Sequence, residues 1–507
     1  MKQRRLDVAM LWVCLGTAAT AVSGVQATEL ASVVRPNIIM LLVDDLGWTD
    51  LGCYGSDLYR TPNIDRLASG AVRFTNAYAA CTVCSPTRAA LMTGMYPARL
   101  HLTNWINGSE RPYARLSIPA WTKYLKRDYM TLPKALKAAG YLTIHAGKWH
   151  LAPRSLVDSA EEDRNYFPLR YGFDIQFAGT CSPGTYFYPY RARGFDLGLA
   201  DGGKPGEYLT DRLTDEVLKV IERNRDRPLF VYFAHFNVHT PLEAKPQYVK
   251  KYQAMIQEGM RHHNPTYAAM VQSVDDSVGR ILAKLEELKI ADRTMIVFTS
   301  DNGGLDIGGD PTENRPLREG KGWGYEGGVR VPAIIKWPGV TSPGSVCVEP
   351  ITTIDYYPTF LQAAKVAGDP QHNATVDGVS LLPILKNPAA KLEREAIYWH
   401  YPHYHNVGGM PYGAIRAGDM KLLEFYEDMR VELYNLREDL GETRNLADRM
   451  PDEAVRLRAM LHAWRKRVAA QMPTANPAYD AKKDAESGFL HTTPPKPAPL
   501  PKIEPPG

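Results

Sequence analysis

Cysteine is scarce in this chain. Six are spread over 507 residues, at positions 14, 53, 81, 84, 181 and 347. That is too few for a disulfide scaffold, and no second C-x-x-C joins Cys81 and Cys84 to make a zinc pattern. An excess of one charge sign is missing too. Lys and Arg number 60 against 56 Asp and Glu, for a net charge of +4. A nucleic-acid binder shows a basic domain or stripe, so nucleic acid is not expected as a partner. The absence of internal repeats excludes solenoids and propellers. Hydrophobic residues at 44% and charged residues at 23% exclude a wholly disordered chain. The length allows two to four domains of about 100–200 residues, or one large domain with an appendage.

Long apolar runs are also lacking, except at the start. Residues 1–27 carry Lys2, Arg4 and Arg5, then an apolar stretch, then Val25-Gln26-Ala27. This is the order of a secretory signal with small residues at the cleavage site. A membrane anchor is the other reading, since Val8 to Val25 is near the minimum spanning length. Gly, Ser and Thr dilute that run, and Val13 before Cys14 argues against lipoprotein processing. The expectation is a cleaved signal and an exported mature chain, periplasmic or secreted, with no stable membrane insertion.

What is present begins with Asn37 to Val43, a continuous apolar run that suits a strand buried on both faces of a parallel sheet. It ends in Asp44-Asp45, at the strand end where ligand sites of open α/β sheets lie. Helices are expected at Pro62–Ser69 behind Thr61, at Leu132–Ala139, at Tyr208–Arg225 and at Tyr267–Leu288. Strands are expected at Tyr141–Ala146, Pro228–Ala234 and Thr294–Thr299, the last followed by Asp301-Asn302. This alternation predicts an α/β fold, a large mostly parallel sheet sandwiched by helices. After about residue 385 the texture changes to short strands at 396–399, 412–416, 421–426 and 431–434, then a helix at 452–470. A smaller C-terminal α+β subdomain carrying an antiparallel sheet is expected there. Residues 473–507 hold nine prolines and are expected to run extended.

Five clusters carry candidate chemistry. Asp44-Asp45 and Asp301-Asn302 end two predicted strands, and neighbouring strands would bring them together. Three carboxylates and an amide oxygen are hard ligands, suited to Ca²⁺ or Mg²⁺ rather than zinc. Alternatively each pair caps its own turn. Cys84-Ser-Pro-Thr-Arg88 reads as a helix start, with Cys84 at the anion-favouring N-terminus and Arg88 one turn on. Cys84 is a thiol nucleophile, half of a redox pair with Cys81, or an ordinary buried cysteine on this reading. Gly147-Lys148-Trp149-His150 is not a phosphate loop, because Trp149 stands where Ser or Thr belongs. His239-Thr240-Pro241 and Gly320-Lys321-Gly322 follow other strand ends. A lone His or Lys is more often structural or solvated, but their shared place after strands makes them a set.

That set resembles the formylglycine-dependent sulfatase family of the alkaline phosphatase superfamily. The C-x-P-x-R signature stands as Cys84 to Arg88, with Thr93-Gly94 behind it. Asp-Asp-Leu-Gly, Gly-Lys-Trp-His, His-Thr-Pro, Ser-Asp-Asn-Gly and Gly-Lys-Gly occur in family order between about Arg35 and Ala447. The resemblance implies that Cys84 is oxidised to formylglycine by a formylglycine-generating or sulfatase-maturating enzyme. It implies one divalent cation, Ca²⁺ or alternatively Mg²⁺, on Asp44, Asp45, Asp301, Asn302 and residue 84. Lys148 and Lys321 would hold the sulfate, and Arg88 with the metal would lower the nucleophile's pKa and neutralise the sulfate oxygens. His239 with Lys321 would protonate the leaving oxygen, and His150 would assist breakdown of the sulfated intermediate as general base. Residues 28–385 would be the catalytic domain and 386–472 the subdomain.

The substrate is less legible. The His400, His403 and His405 cluster, with its intervening aromatics, is a candidate sugar subsite or else a strand edge packed on the main domain. Arg416 and Trp105 are further candidates. The expectation is an exo-acting sulfatase on sulfated galactose or N-acetylgalactosamine glycans. The alternatives are a phosphonate monoester or phosphodiester hydrolase of the same superfamily, or a non-catalytic glycan-binding protein if Cys84 stays unmodified.

Overall fold

A computed structural model describes residues 35–152, 166–192, 195–196, 199 and 203–487. The expected signal segment and residues 488–507 of the Pro-rich tail lie outside them. The first strand, β1 (Asn37–Val43), is buried at every position. Its side chains alternate between two cores, with Ile39, Leu41 and Val43 in one and Ile38, Met40 and Leu42 in the other. A strand with helices over both faces must be apolar at every residue, which is why the run is continuous.

Seven more strands complete the sheet: β2 (Val72–Phe74), β3 (Leu142–Gly147), β4 (Ile175–Ala178), β5 (Leu229–Ala234), β6 (Thr294–Ser300), β7 (Ala333–Lys336) and β8 (Ser345–Cys347). Their order is β8-β2-β7-β6-β1-β5-β3-β4. The centre is parallel, β1 lying between β6 and β5. Only β7 runs against its neighbours β6 and β2. Helices α1 (Pro62–Ser69), α4 (Leu209–Arg223) and α5 (Pro265–Glu287) bury Ile64, Val217 and Val274 on one face. Helices α2 (Cys84–Thr93), α3 (Leu132–Ala138) and α6 (Tyr356–Ala364) bury Leu91, Leu136 and Phe360 on the other. The expected elements are present with ends moved by at most three residues, and β2, β4, β7 and β8 are additions.

The antiparallel sheet is formed by β9 (Ile397–Tyr401), β10 (Tyr412–Ala417), β11 (Met420–Phe425) and β12 (Val431–Asn435), in that order. Helix α7 (Pro451–Arg467) covers one face through Leu457, Leu461 and Trp464. The other face packs Trp399, Leu423 and Phe425 against Trp323, Tyr325 and Val329. A buried ionic joint crosses this seam. Lys421 Nζ lies 2.9 Å from Glu326 Oε1 and 3.0 Å from Glu442 Oε1. The proline-rich tail departs from expectation. Thr474–Ala475 pairs antiparallel with Leu116–Ser117, and Ala481–Ala485 is helical. Proline leaves positions 474–476 and 478–487 free, so their N–H groups can bond.

Among the described residues, no helix is long and apolar enough to cross a membrane.

Candidate active site

Parallel pairing of β1 and β6 sets Val43 opposite Ser300. The next residues, Asp44-Asp45 and Asp301-Asn302, therefore meet at the strand ends. Asp45 N donates to Asp301 Oδ1 at 3.1 Å, and Asn302 Nδ2 donates to Asp45 Oδ1 at 2.8 Å. Asp45 has φ +60, in the left-handed region that Asp tolerates better than most residues. Asp50 fixes the turn beyond it, taking hydrogen bonds from Gly47 N and Tyr267 Oη.

Cys84 is the first residue of α2 and follows an N-cap, Val83, that has no capping side chain. Its Sγ lies 3.9 Å from Asp45 Oδ1. Arg88, one turn on, is fully buried. Its Nε and Nη2 reach Asp301 Oδ2 at 2.9 and 2.7 Å, and Nη1 donates to the Lys148 carbonyl at 2.9 Å. Lys148 enters from the end of β3. Gly147 before it has φ +94, and the Ala234 carbonyl oxygen stands 1.8 Å from where a Cβ would be, so only glycine fits. Lys148 Nζ then lies 2.6 Å from Asp44 Oδ2. Lys321 Nζ lies 2.7 Å from Asp45 Oδ2. Each carboxylate thus faces a cation of its own.

The histidines are oriented by carbonyls. His150 Nε2 is 2.6 Å from the Ile106 carbonyl, and His239 Nδ1 is 2.6 Å from the Thr240 carbonyl. A carbonyl only accepts, so those nitrogens carry the proton. This leaves His150 Nδ1, buried and unpartnered, and His239 Nε2, 3.6 Å from Asp45 Oδ2, as the chemically open atoms. Burial, then the Lys148 charge, holds His150 well below its ordinary value. Burial and Lys321 lower His239 as well, although 29% of its side chain is still accessible. Both rings are neutral at pH 7 in this state.

Burial raises the Cys84 thiol to about 12, with Lys148 and Lys321 offsetting it in part. Such a thiol is protonated at neutral pH and is a poor nucleophile. The redox-pair reading gains no support, because Cys81 and Cys84 are free, as are Cys53, Cys181 and Cys347. Burial would also raise Asp45, but Lys321, His239 and Lys148 outweigh it and hold the carboxyl low. Burial raises Asp301 to about 6 against the Arg88 charge.

The donor set fits a hard cation. Asp44, Asp301 and Cys84 bring ligand atoms within 4.8 Å of one another, as do Asp45, Cys84 and His239. Asp44 Oδ1 and Asn302 Oδ1 are buried and receive no hydrogen bond. Buried oxygens of this kind are expected to have a partner, and a divalent cation is one that oxygen donors suit.

The sugar-subsite candidates divide. His405 stands at the cluster: its Nδ1 is 2.4 Å from where a Cβ on Gly322 would be, beside Lys321. The charges of Lys321 and Asp45 both act on it. His403 is one layer out, with Nε2 2.8 Å from Thr103 Oγ1. His400 does not reach the site. Its nitrogens engage Tyr426 Oη at 2.7 Å and the Gln471 carbonyl at 2.9 Å, so it is a packing residue of the small sheet. Arg416 does not reach it either. It bonds the Gly418 carbonyl and Tyr78 near the far end of β10, four residues from the Tyr412 end that faces the cluster. Trp105 is partly buried against the apolar cluster that holds Trp323, Trp399 and Tyr412, in the segment whose Ile106 carbonyl holds His150. Sequence reasoning missed Ile106, Ser85 and Tyr267. Ser85 Oγ accepts from Ile106 N at 3.1 Å, and Tyr267 Oη donates to the Asp45 carbonyl at 3.2 Å. These are ordinary residues whose roles come from tertiary neighbours.

Comparison with known proteins matches the Sulfatase family model over residues 36–366. The chain belongs to the sulfatase family. A second model, N-sulphoglucosamine sulphohydrolase, C-terminal, matches residues 320–469. This sulfatase is 34% identical to a sulfatase of Formosa agariphila over 498 aligned positions, covering 85% of this chain and 88% of that one. It is 35% identical to N-acetylgalactosamine-6-sulfatase of Homo sapiens over 369 aligned positions, 69% of this chain and 66% of the relative. The crystal structure of Ps i-CgsB matches with a TM-score of 0.70 at 28% identity, covering 90% of this chain and 98% of that one. A structure of Ps i-CgsB in complex with k-i-k-neocarrahexaose matches almost equally. The protein is thus a sulfuric ester hydrolase with an α/β fold, and the cluster at the strand ends is its candidate centre.

Proposed function

We propose that this sulfatase removes sulfate from carbohydrate esters, with formylglycine at position 84 as nucleophile and Ca²⁺ held by Asp44, Asp45, Asp301, Asn302 and residue 84. The observation that carries the reading is the pairing of orphaned buried oxygens, Asp44 Oδ1 and Asn302 Oδ1, with three buried cations around one cysteine. Each cation matches a carboxylate, so a bound divalent ion leaves positive charge in excess. An anionic ester supplies the complement. The hydrate of formylglycine supplies a hydroxyl nucleophile where a thiol at about 12 supplies none. The metal ion, when bound, supplies a Lewis acid that lowers the pKa of that hydroxyl.

The remaining work falls to the chain's own side chains. Lys148, Lys321 and Arg88 spread positive charge around the sulfate oxygens, as an anionic transition state requires. Lys321 is held protonated by Asp45 despite its burial and stands with His239 as the proton source for the leaving oxygen. An arriving sulfate offsets the Lys321 charge at His239 and favours a proton on Nε2. His150 Nδ1 carries a lone pair because Nε2 donates to Ile106, so it can take a proton from position 84.

Carbohydrate as the substrate class is supported by the N-acetylgalactosamine-6-sulfatase relative and by the neocarrahexaose complex. His405 beside Lys321 is the proposed sugar contact, with His403 behind it. The carboxylates that would hold the metal are at most 3% accessible and Lys321 10%. Such narrow access favours a terminal ester over one in mid-chain. The reading also requires a maturating enzyme for Cys84 and export of the protein. The test is sulfate release from a panel of defined sulfated galactose and N-acetylgalactosamine saccharides, with 4-nitrophenyl sulfate and an aryl phosphodiester alongside. Release from at least one saccharide, lost in Cys84→Ala, is expected. A preference for the phosphodiester by orders of magnitude would overturn the reading.

A further inference from the structure

We infer that the C-terminal strap, residues 474–487, sets saccharide affinity by holding the loop that brings Trp105 and Ile106 to the active site. The inference rests on the functional reading above. The strap lies beyond both family matches, which end at residues 366 and 469. It contributes no residue to the hydrophobic cores, and most of its side chains are exposed. It is tied instead to one loop by hydrogen bonds and strand pairing.

Asn476 Nδ2 donates to the Pro112 and Ala114 carbonyls at 2.9 and 2.7 Å. Asn476 N donates to the Arg115 carbonyl at 3.0 Å. Asp480 N donates to the Tyr113 carbonyl at 3.2 Å. Arg111 makes two bonds to Asp484, at 2.6 and 2.9 Å. Thr474–Ala475 adds the strand pairing with Leu116–Ser117. The outer arm of the loop, residues 111–117, is thus bonded along its length.

The inner arm of the same loop meets the reaction centre. Ile106 bonds Ser85 through its N–H and His150 through its carbonyl. Asn104 Oδ1 accepts from Tyr401 Oη at 2.9 Å, and Thr103 bonds His403. Tyr404, between His403 and His405, ties the outer arm to the proposed sugar contact. Its Oη accepts from Leu116 N at 3.2 Å, and the Arg111 guanidinium stacks 4.7 Å from its ring. Freeing the outer arm therefore loosens the wall that a saccharide ring would touch. The carboxylates, Arg88 and residue 84 have their own anchors in β1, β6 and α2, and Lys148 has its anchor in β3. Ile106, which orients His150, keeps its bond to Ser85 of α2, so a small aryl ester should be little affected. Asn476 and Asp484 are positioning residues on this account.

The test compares the full-length double variant Asn476→Ala/Asp484→Ala with wild type. KM for N-acetylgalactosamine 6-sulfate should rise about fivefold or more, while kcat/KM for 4-nitrophenyl sulfate stays within about twofold. Amide exchange at residues 103–107 should quicken, with the melting temperature within about 3 °C of wild type. An unchanged KM, or an equal loss on both esters, overturns the inference. If wild type hydrolyses neither ester, the functional reading fails on its own, and unchanged exchange at 103–107 then overturns the strap.

Discussion

Two clusters of buried charge in this molecule look alike and do different things. At the joint between the sheets, every carboxylate oxygen of Glu326 and Glu442 lies within 3.1 Å of a donor group from Lys421, Arg330, Tyr78 or the Glu326 backbone. Glu442 Oε1 is held by the Lys421 charge at 3.0 Å rather than by a hydrogen bond. At the strand ends the nearest cation to Asp44 Oδ1 stands 3.4 Å away, and Asn302 Oδ1 has no hydrogen-bond partner. The joint closes upon itself. The site stays electrostatically incomplete although it holds more ions. A closed network supports architecture, and an incomplete one has capacity for a ligand.

Substitutions can break that contrast. Cys84→Ala should lower sulfate release on the order of 10³-fold or more, because the nucleophile goes. Its melting temperature should stay within about 2 °C of wild type by thermal scan. Lys421→Met should do the opposite. It leaves two carboxylates buried without their lysine, and urea unfolding should show a loss of about 3–5 kcal/mol. Chelation with EDTA should abolish turnover and lower the melting temperature, with Ca²⁺ restoring both, since an ion bound only by the folded state stabilises it. Cys84→Ala keeps the aspartates and should retain part of that thermal response.

The smallest effect is on pH dependence. Burial raises Glu442 from the ordinary 4.5 to about 7, against Lys421. The unfolded chain loses that proton first, so stability falls as pH rises from 4.5 through 7. Glu326 is held at about 2, Lys421 and Arg330 outweighing burial. Its contribution is whole above 4.5 and is lost only as pH falls through 2. Glu442→Gln should flatten the decline in melting temperature between pH 5 and 8, read by calorimetry.

Much of the candidate cluster was legible because its residues follow strand ends. A buried strand announces itself by an unbroken apolar run, and the polar residues after it must gather at one edge of the sheet. The same logic does not cover the small sheet. His400 and His405 look equivalent in sequence, yet a register that pairs His400 with Gly413 turns it toward Tyr426 and leaves only the segment beyond Tyr401 at the site. The added strands β2, β7 and β8 are three or four residues long, too short to show a period. The strap was hidden by prolines that its folded part mostly avoids. Bonds such as Ile106 to His150 have no local signal, because any residue can offer a carbonyl.

The most direct test is the mass of the peptide containing position 84, taken from protein that is releasing sulfate. Conversion of Cys84 to formylglycine lowers that mass by about 18 Da, and the account predicts this loss in the active fraction. An unmodified cysteine at position 84 in fully active protein would contradict it.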